Sequence, residues 1–229
     1  MNSYSFLVPE NGQNKPKQGV KNSTVDATQT EADECLFTAL GDSYLRSSAI
    51  KSAQNGDYRQ AIALLDQLLV RNPKSAIDYN NRGFIYFQCG EKHKAFADYN
   101  RAIELKSDLA SAYNNRGNYY AACGELENAI ADYDNALDFN PSYVRAWINR
   151  GITLRDLGQY DEAVEDLEAA LIFGQLEANI FAERGRTYHL WGDWNCAIAD
   201  YRRALNLFTD SNLRLRTQVE NWMGELLCP

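Results

Sequence analysis

The chain has 229 residues, 45% hydrophobic and 24% charged, an ordinary soluble composition that excludes a disordered polymer and allows a sizeable core. Its formal net charge of -8 argues against bulk attraction to nucleic acid or anionic lipid. Five cysteines, Cys35, Cys89, Cys123, Cys196 and Cys228, are odd in number and lack paired spacing or companion histidines, so free thiols are expected rather than a disulfide framework or a zinc site.

In chain order, residues 1–30 come first, rich in Asn, Gln, Lys, Ser and Thr, and read as a polar, disordered tail with little to bury. The amino terminus has no basic start leading into an apolar stretch, and no later run approaches membrane-spanning length. A cytoplasmic location without an integral membrane span is therefore expected. Glu31 to Leu40 should lead helically into an array over residues 31–211.

Within that array YNNRG at Tyr79–Gly83 returns at Tyr113–Gly117. Gly83, Gly117, Gly151 and Gly185 are spaced 34 residues apart, as are Ala95, Ala129, Ala163 and Ala197. Gly56, Gly90, Gly124, Gly158 and Gly192 keep the same step and reach one repeat further back. Each unit reads as a helix, a tight Gly-containing turn and a second helix with apolar residues at helical spacing, as in AIADYDNALDF. Helices joined by so short a turn pack antiparallel, with Gly and Ala at the contact letting the backbones approach. No unit can bury its apolar faces alone, so units stack. The repeats lie near 42–75, 76–109, 110–143, 144–177 and 178–211. Over residues 212–229, Leu215, Val219, Trp222, Met223 and Leu226 form one apolar stripe, the mark of a capping helix.

Tyr113, Gly117, Tyr120, Ala129, Tyr133, Ala136 and Pro141, with Trp147, Gly151, Leu154, Ala163, Leu167 and Ala170 in the next unit, resemble the tetratricopeptide repeat. A weaker first copy keeps Gly56, Asp57, Tyr58, Ala61 and Pro73. The resemblance implies an all-α fold, a right-handed α-solenoid of five helix-turn-helix repeats plus a C-terminal capping helix. The YNNRG wording is similar to that of bacterial members, some of which assist photosystem assembly.

Arg82, Arg116, Arg150 and Arg184 share the seventh place of their repeats, and Asp98, Asp132, Asp166 and Asp200 the twenty-third. Antiparallel packing brings these places together, and the first repeat loses both at once, with Ser48 and Leu64 instead. Structural ion pairs are the expectation; arginines forked onto carboxylates have little left for a ligand.

The resemblance further implies a concave groove lined by the first helix of each repeat. Its candidate partner-binding residues are Asn80, Asn81, Phe84 and Phe87, then Asn114, Asn115 and Asn118, then Arg145, Ile148, Asn149, Ile152 and Arg155, and last Arg186 and His189. Asn81, Asn115 and Asn149 recur at one place in consecutive repeats, and amides that donate and accept can hold an extended peptide backbone. The alternative is polar residues tolerated on a helix face. The set of basic residues and asparagines that clamps chaperone carboxylate tails in some members is absent.

Two histidines, with no HExxH, GxSxG or phosphate loop, leave hydrolytic chemistry without its parts. Cys89 and Cys123 read as small helix-end packing residues, and the tyrosines at signature places as core. The expectation is a non-enzymatic adaptor, scaffold or assembly factor without cofactor or metal. It would bind an extended or helical segment of another protein, with an acidic end favoured by the later arginines. Two alternatives are a self-assembling structural protein using the C-terminal helix, and a module whose N-terminal tail, or Leu36 and Phe37 at its exit, occupies the groove.

Overall fold

The computed structural model describes the backbone of residues 27–209 and 213–227 and the side chains of residues 41–209 and 213–226. Residues 1–26 of the expected tail lie outside the described residues, as do the side chains of Leu36 and Phe37. Eleven α-helices and no strand are found among the described residues, so the fold is all-α.

Two compact units divide the chain between Ser107 and Asp108. In the unit that ends at Ser107, α1 (Ala27–Gln54), α2 (Tyr58–Arg71), α3 (Ala76–Gln88) and α4 (Lys92–Leu105) pack each on the next. α1 is a single helix that takes in both the expected lead and the first helix of the first repeat. Asp57 caps α2, accepting from the Gln60 N–H at 3.0 Å, and Ser75 caps α3, accepting from the Asp78 N–H at 3.3 Å. Ala49, Ala61, Leu64, Leu65, Leu68, Phe84 and Ile85 form the core of this unit.

The second unit contains α5 (Ala110–Cys123), α6 (Leu126–Phe139), α7 (Val144–Asp156), α8 (Tyr160–Leu171), α9 (Glu177–Trp191), α10 (Trp194–Leu207) and α11 (Leu213–Leu227). Successive helices pack in order, and the first helices of successive repeats also touch, α5 with α7 and α7 with α9. This nearest-neighbour pattern is that of a stacked repeat.

Two glycine series explain the geometry. At the turn, Gly56, Gly90, Gly124, Gly158 and Gly192 all adopt φ between 79° and 94°, a left-handed conformation that side chains resist, which ends each first helix and reverses the chain. Inside the pair, Gly83, Gly117 and Gly185 lie flat against the rings of Tyr99, Tyr133 and Tyr201, three of the largest fully buried side chains.

At the C-terminus Leu215 and Val219 are buried against Ala182, Ala197, Tyr201, Ala204 and Phe208, with Trp222, Met223 and Leu226 packed beside them. The stripe seen in the sequence thus lies on the chain's own last helix pair.

Candidate functional site

The repeated arginine makes the most regular set of polar contacts among the described residues. Arg82 donates from Nε and Nη2 to the two carboxylate oxygens of Asp98, both at 2.8 Å. Arg116 forks onto Asp132 at 2.8 and 2.8 Å, Arg150 onto Asp166 at 2.8 and 2.7 Å, and Arg184 onto Asp200 at 2.6 and 3.0 Å. The first-to-second-helix pairing expected from the spacing is therefore present in all four repeats.

A third bond was not anticipated. Nη1 of Arg82 reaches back one repeat to Asp66 at 2.7 Å, that of Arg150 to Asp134 at 2.5 Å and that of Arg184 to Glu168 at 3.1 Å. Asp66, Asp134 and Glu168 fall in one series with the 34-residue step, so the signal was present as a carboxylate sixteen residues before three of the four arginines, with Asn100 at that place before Arg116. Each guanidinium also lies over an aromatic ring of its own helix: Arg82 over Tyr79 at 5.4 Å, Arg116 over Tyr113 at 5.6 Å, Arg150 over Trp147 at 4.9 Å and Arg184 over Phe181 at 5.5 Å. Donation to Asp98 holds the Arg82 guanidinium firmly protonated, and burial pushes the Asp98 and Asp166 carboxyls up despite their arginines.

The first repeat, which lacks this pair, has a different one. Arg46 forks onto the fully buried Asp78 at 2.6 and 2.9 Å, and Ser75 donates to the same carboxylate at 2.6 Å. Sequence reasoning missed this clasp between α1 and α3, because neither residue belongs to a repeated series.

The asparagine row is buried. Asn80, Asn81, Asn114, Asn115 and Asn149 are all at most 6% exposed. In the second unit the Asn149 side chain donates to Oδ1 of Asn114 at 2.9 Å, joining α7 to α5, and Asn114 donates to Oδ1 of Asn115 at 3.4 Å. Asn118 accepts from the Tyr133 hydroxyl at 2.8 Å. Phe84 belongs to the core of the first unit, and Ile148 and Ile152 to a buried cluster with Val144, Leu167, Ala170 and Ile180. Phe87, Asn118 and Arg145 are half-buried and keep surface.

Two of the later basic candidates have internal acidic partners. Arg155 donates to Glu183 on α9 at 2.8 Å. Arg186 donates to Glu225 of α11 at 2.9 Å, lies over the Trp222 ring at 5.2 Å and approaches His189 Nδ1 at 3.1 Å. Burial and the neighbouring Arg186 lower the pKa of His189, which also meets the Tyr201 hydroxyl at 3.3 Å. Desolvation lowers the pKa of Arg145.

Cys89 and Cys123, read from the sequence as helix-end packing residues, are exposed instead, as is Cys196. They sit at or beside the helix ends, where the chain turns away and leaves the fourteenth place in solvent. No group of three or more His, Cys, Asp or Glu is placed to hold a metal among the described residues. No described helix is long and apolar enough to cross a membrane.

Comparison with known proteins agrees with this geometry. A TPR repeat model matches residues 83–122 and 117–154, and two tetratricopeptide repeat models match residues 144–172 and 39–75, together more than half of the chain. No curated protein matches the sequence. Among solved structures, the chain is similar to TTC0263, a thermophilic TPR protein of Thermus thermophilus (TM-score 0.71, 21% identity, 80% of this chain and 98% of that one). It is similar also to PilW, a widely conserved type IV pilus biogenesis factor (0.68, 25%, 80% and 86%), and to MamA (0.58, 22%, 69% and 92%). With its α-solenoid fold class and its repeat signature both in place, this chain belongs to the tetratricopeptide repeat family.

Proposed function

We propose that this protein is a non-enzymatic interaction scaffold that seats a segment of a partner protein on the first-helix faces of its repeats. The observation that carries the reading is a contrast within the chain. The seventh and twenty-third places repeat without change through four repeats, whereas the second, ninth and twelfth places of the first helices differ each time. The second place holds Ile77, Ser111, Arg145 and Asn179, the ninth Phe84, Asn118, Ile152 and Arg186, and the twelfth Phe87, Ala121, Arg155 and His189. A constant frame with a varied face is how a repeat protein acquires specificity.

Of the inner-face candidates, the half-buried Phe87 in the first unit and Asn118 and Arg145 in the second are the first contacts, with the buried asparagines and isoleucines supporting them from beneath. An acidic group on the partner would meet Arg145, which keeps surface at the second place of its repeat. PilW, described as a pilus biogenesis factor, makes assembly a reasonable role for such a scaffold. Self-assembly through the C-terminal stripe is the weaker reading, because Leu215 and Val219 are buried on α9 and α10.

The test is affinity capture from native lysate with mass spectrometry, comparing the wild type with Phe87→Ala, Asn118→Ala and Arg145→Ala, each first checked for helicity. A partner lost from a folded variant supports the reading. A partner retained by all three moves the working surface off the first-helix face.

A further inference from the structure

The turn between α9 and α10 carries side chains that the repeat itself does not require. Trp191 and Trp194 flank Gly192 and Asp193 with 46% and 63% of their surfaces exposed, and together with Asn195 these residues line an open recess of about 520 Å³. At the equivalent places the other repeats have Asn55, Cys89, Cys123 and Leu157, and Tyr58, Lys92, Leu126 and Tyr160. Indoles are thus particular to the last turn, and large aromatic area left in water at one spot marks an interaction surface more often than a structural need.

The rings are arranged to receive something flat or cationic. Trp191 lies nearly parallel to Tyr188, at 6.4 Å and 9°, and close to parallel with Tyr160, at 6.4 Å and 21°. Elsewhere this chain puts arginines on its tryptophans, Arg150 over Trp147 at 4.9 Å and Arg186 over Trp222 at 5.2 Å. Among the described residues no cation lies over Trp191 or Trp194.

Among the described residues, the one charged side chain in the lining of the recess, that of Asp193, is acidic. The exposed Asp161 and Glu162 follow Tyr160 at the start of α8. Asp193 accepts the Cys196 N–H at 3.0 Å, which holds its carboxyl below the usual range and keeps it ionised at neutral pH. Aromatic faces and carboxylates attract the same ligand, a cation with some apolar stem.

We propose that this turn is a docking site for an arginine or lysine side chain on a basic segment of a partner protein, with Trp191 and Trp194 supplying the faces and Asp193 the opposing charge. It is separate from the first-helix face, and stands or falls independently of that reading.

The probe is a short fluorescent arginine–glycine peptide, compared with a glutamate–glycine peptide of equal length, followed by anisotropy and by tryptophan emission of the full chain. Saturable, salt-weakened binding of the arginine peptide is expected, about tenfold weaker in Trp194→Ala and in Asp193→Asn. Asparagine caps a helix about as well as aspartate, so Asp193→Asn removes the charge and leaves the start of α10 intact, and it carries the test even if Trp194→Ala loses stability. Equal binding of the two peptides, or arginine-peptide binding that neither substitution weakens, overturns the proposal. So does preferential binding of a neutral oligosaccharide, which would make the rings a sugar platform. A concentration-dependent rise in mass that Trp194→Ala abolishes would assign the turn to a second copy of the chain and likewise overturn it.

Discussion

Gly117 lies so close to the ring of Tyr133 that a Cβ at this position would stand 2.6 Å from Cε1. Gly185 meets Tyr201 at 2.7 Å and Gly83 meets Tyr99 at 2.9 Å, whereas at Gly151 the partner is Leu167 and the nearest atoms are the Ala163 carbonyl oxygen at 3.1 Å and Leu167 Cγ at 3.2 Å. Alanine at Gly117 or Gly185 should therefore cost about 1–3 kcal/mol by overpacking. At Gly151 the milder crowding is offset by the better helix propensity of alanine, worth up to about 1 kcal/mol. Denaturant unfolding of the four Gly→Ala variants should rank Gly151→Ala as the least destabilised. An equal loss at all four would show that the ring contact does not set the helix spacing.

The Arg150–Asp166 pair allows a double-mutant cycle with a built-in control, because the first repeat manages with Ser48 and Leu64 at the same two places. Asp166 is 5% exposed, so Arg150→Met alone strands a buried carboxylate and should cost about 3–5 kcal/mol. Arg150→Met with Asp166→Leu should recover most of that loss. The additional bond to Asp134, which is half exposed, contributes less than about 1 kcal/mol. A double variant as unstable as the sum of the singles would mean that the two side chains are not coupled and that each acts through other contacts.

Much of this was legible before any coordinates. Gly83 and Gly56 and their successors had to be glycines for two different reasons, a close contact and a left-handed turn, and both reasons act locally, so the 34-residue step exposed them. Arg82 and Asp98 were legible as partners because Ser48 and Leu64 replace both together. Burial of the asparagines was not legible, since an amide on a helix face is written the same way whether it meets a ligand or a neighbouring repeat. Arg46 with Asp78, and Trp191 with Trp194, escaped because each occurs once, and a reading that works by repetition sees only what repeats. The division at Ser107 likewise has no mark in the sequence pattern.

Asn149 gives a direct measure of the amide clasp. Its side chain donates to Asn114 at 2.9 Å inside the second unit, and both residues are buried. Asn149→Ala leaves the Asn114 oxygen without that donor and should cost about 1–3 kcal/mol. Removing both amides should cost less than the two single losses added together, the coupling appearing in chemical unfolding of the single and double alanine variants. Strict additivity would show that the bond contributes nothing to the stack.

His189 should make the C-terminal end acid-sensitive. It faces Arg186 on its own helix, the Tyr201 hydroxyl on α10 and, through Arg186, Glu225 on α11. Burial and Arg186 depress its folded pKa below the ordinary value of about 6.5, so the unfolded chain takes up the proton first. The stability that neutral His189 contributes is fully present above that ordinary value and is lost as pH falls through it toward the depressed folded pKa. In His189→Gln this step is missing. The difference in thermal midpoint between wild type and His189→Gln should therefore be constant above neutrality and shift in favour of the variant as the solution is acidified through the histidine range. Hydrogen exchange should place the wild-type loss in α9 and α11, where Arg186, Trp222 and Glu225 meet. A midpoint difference that stays flat across the whole range would show that His189 does not titrate against the cap.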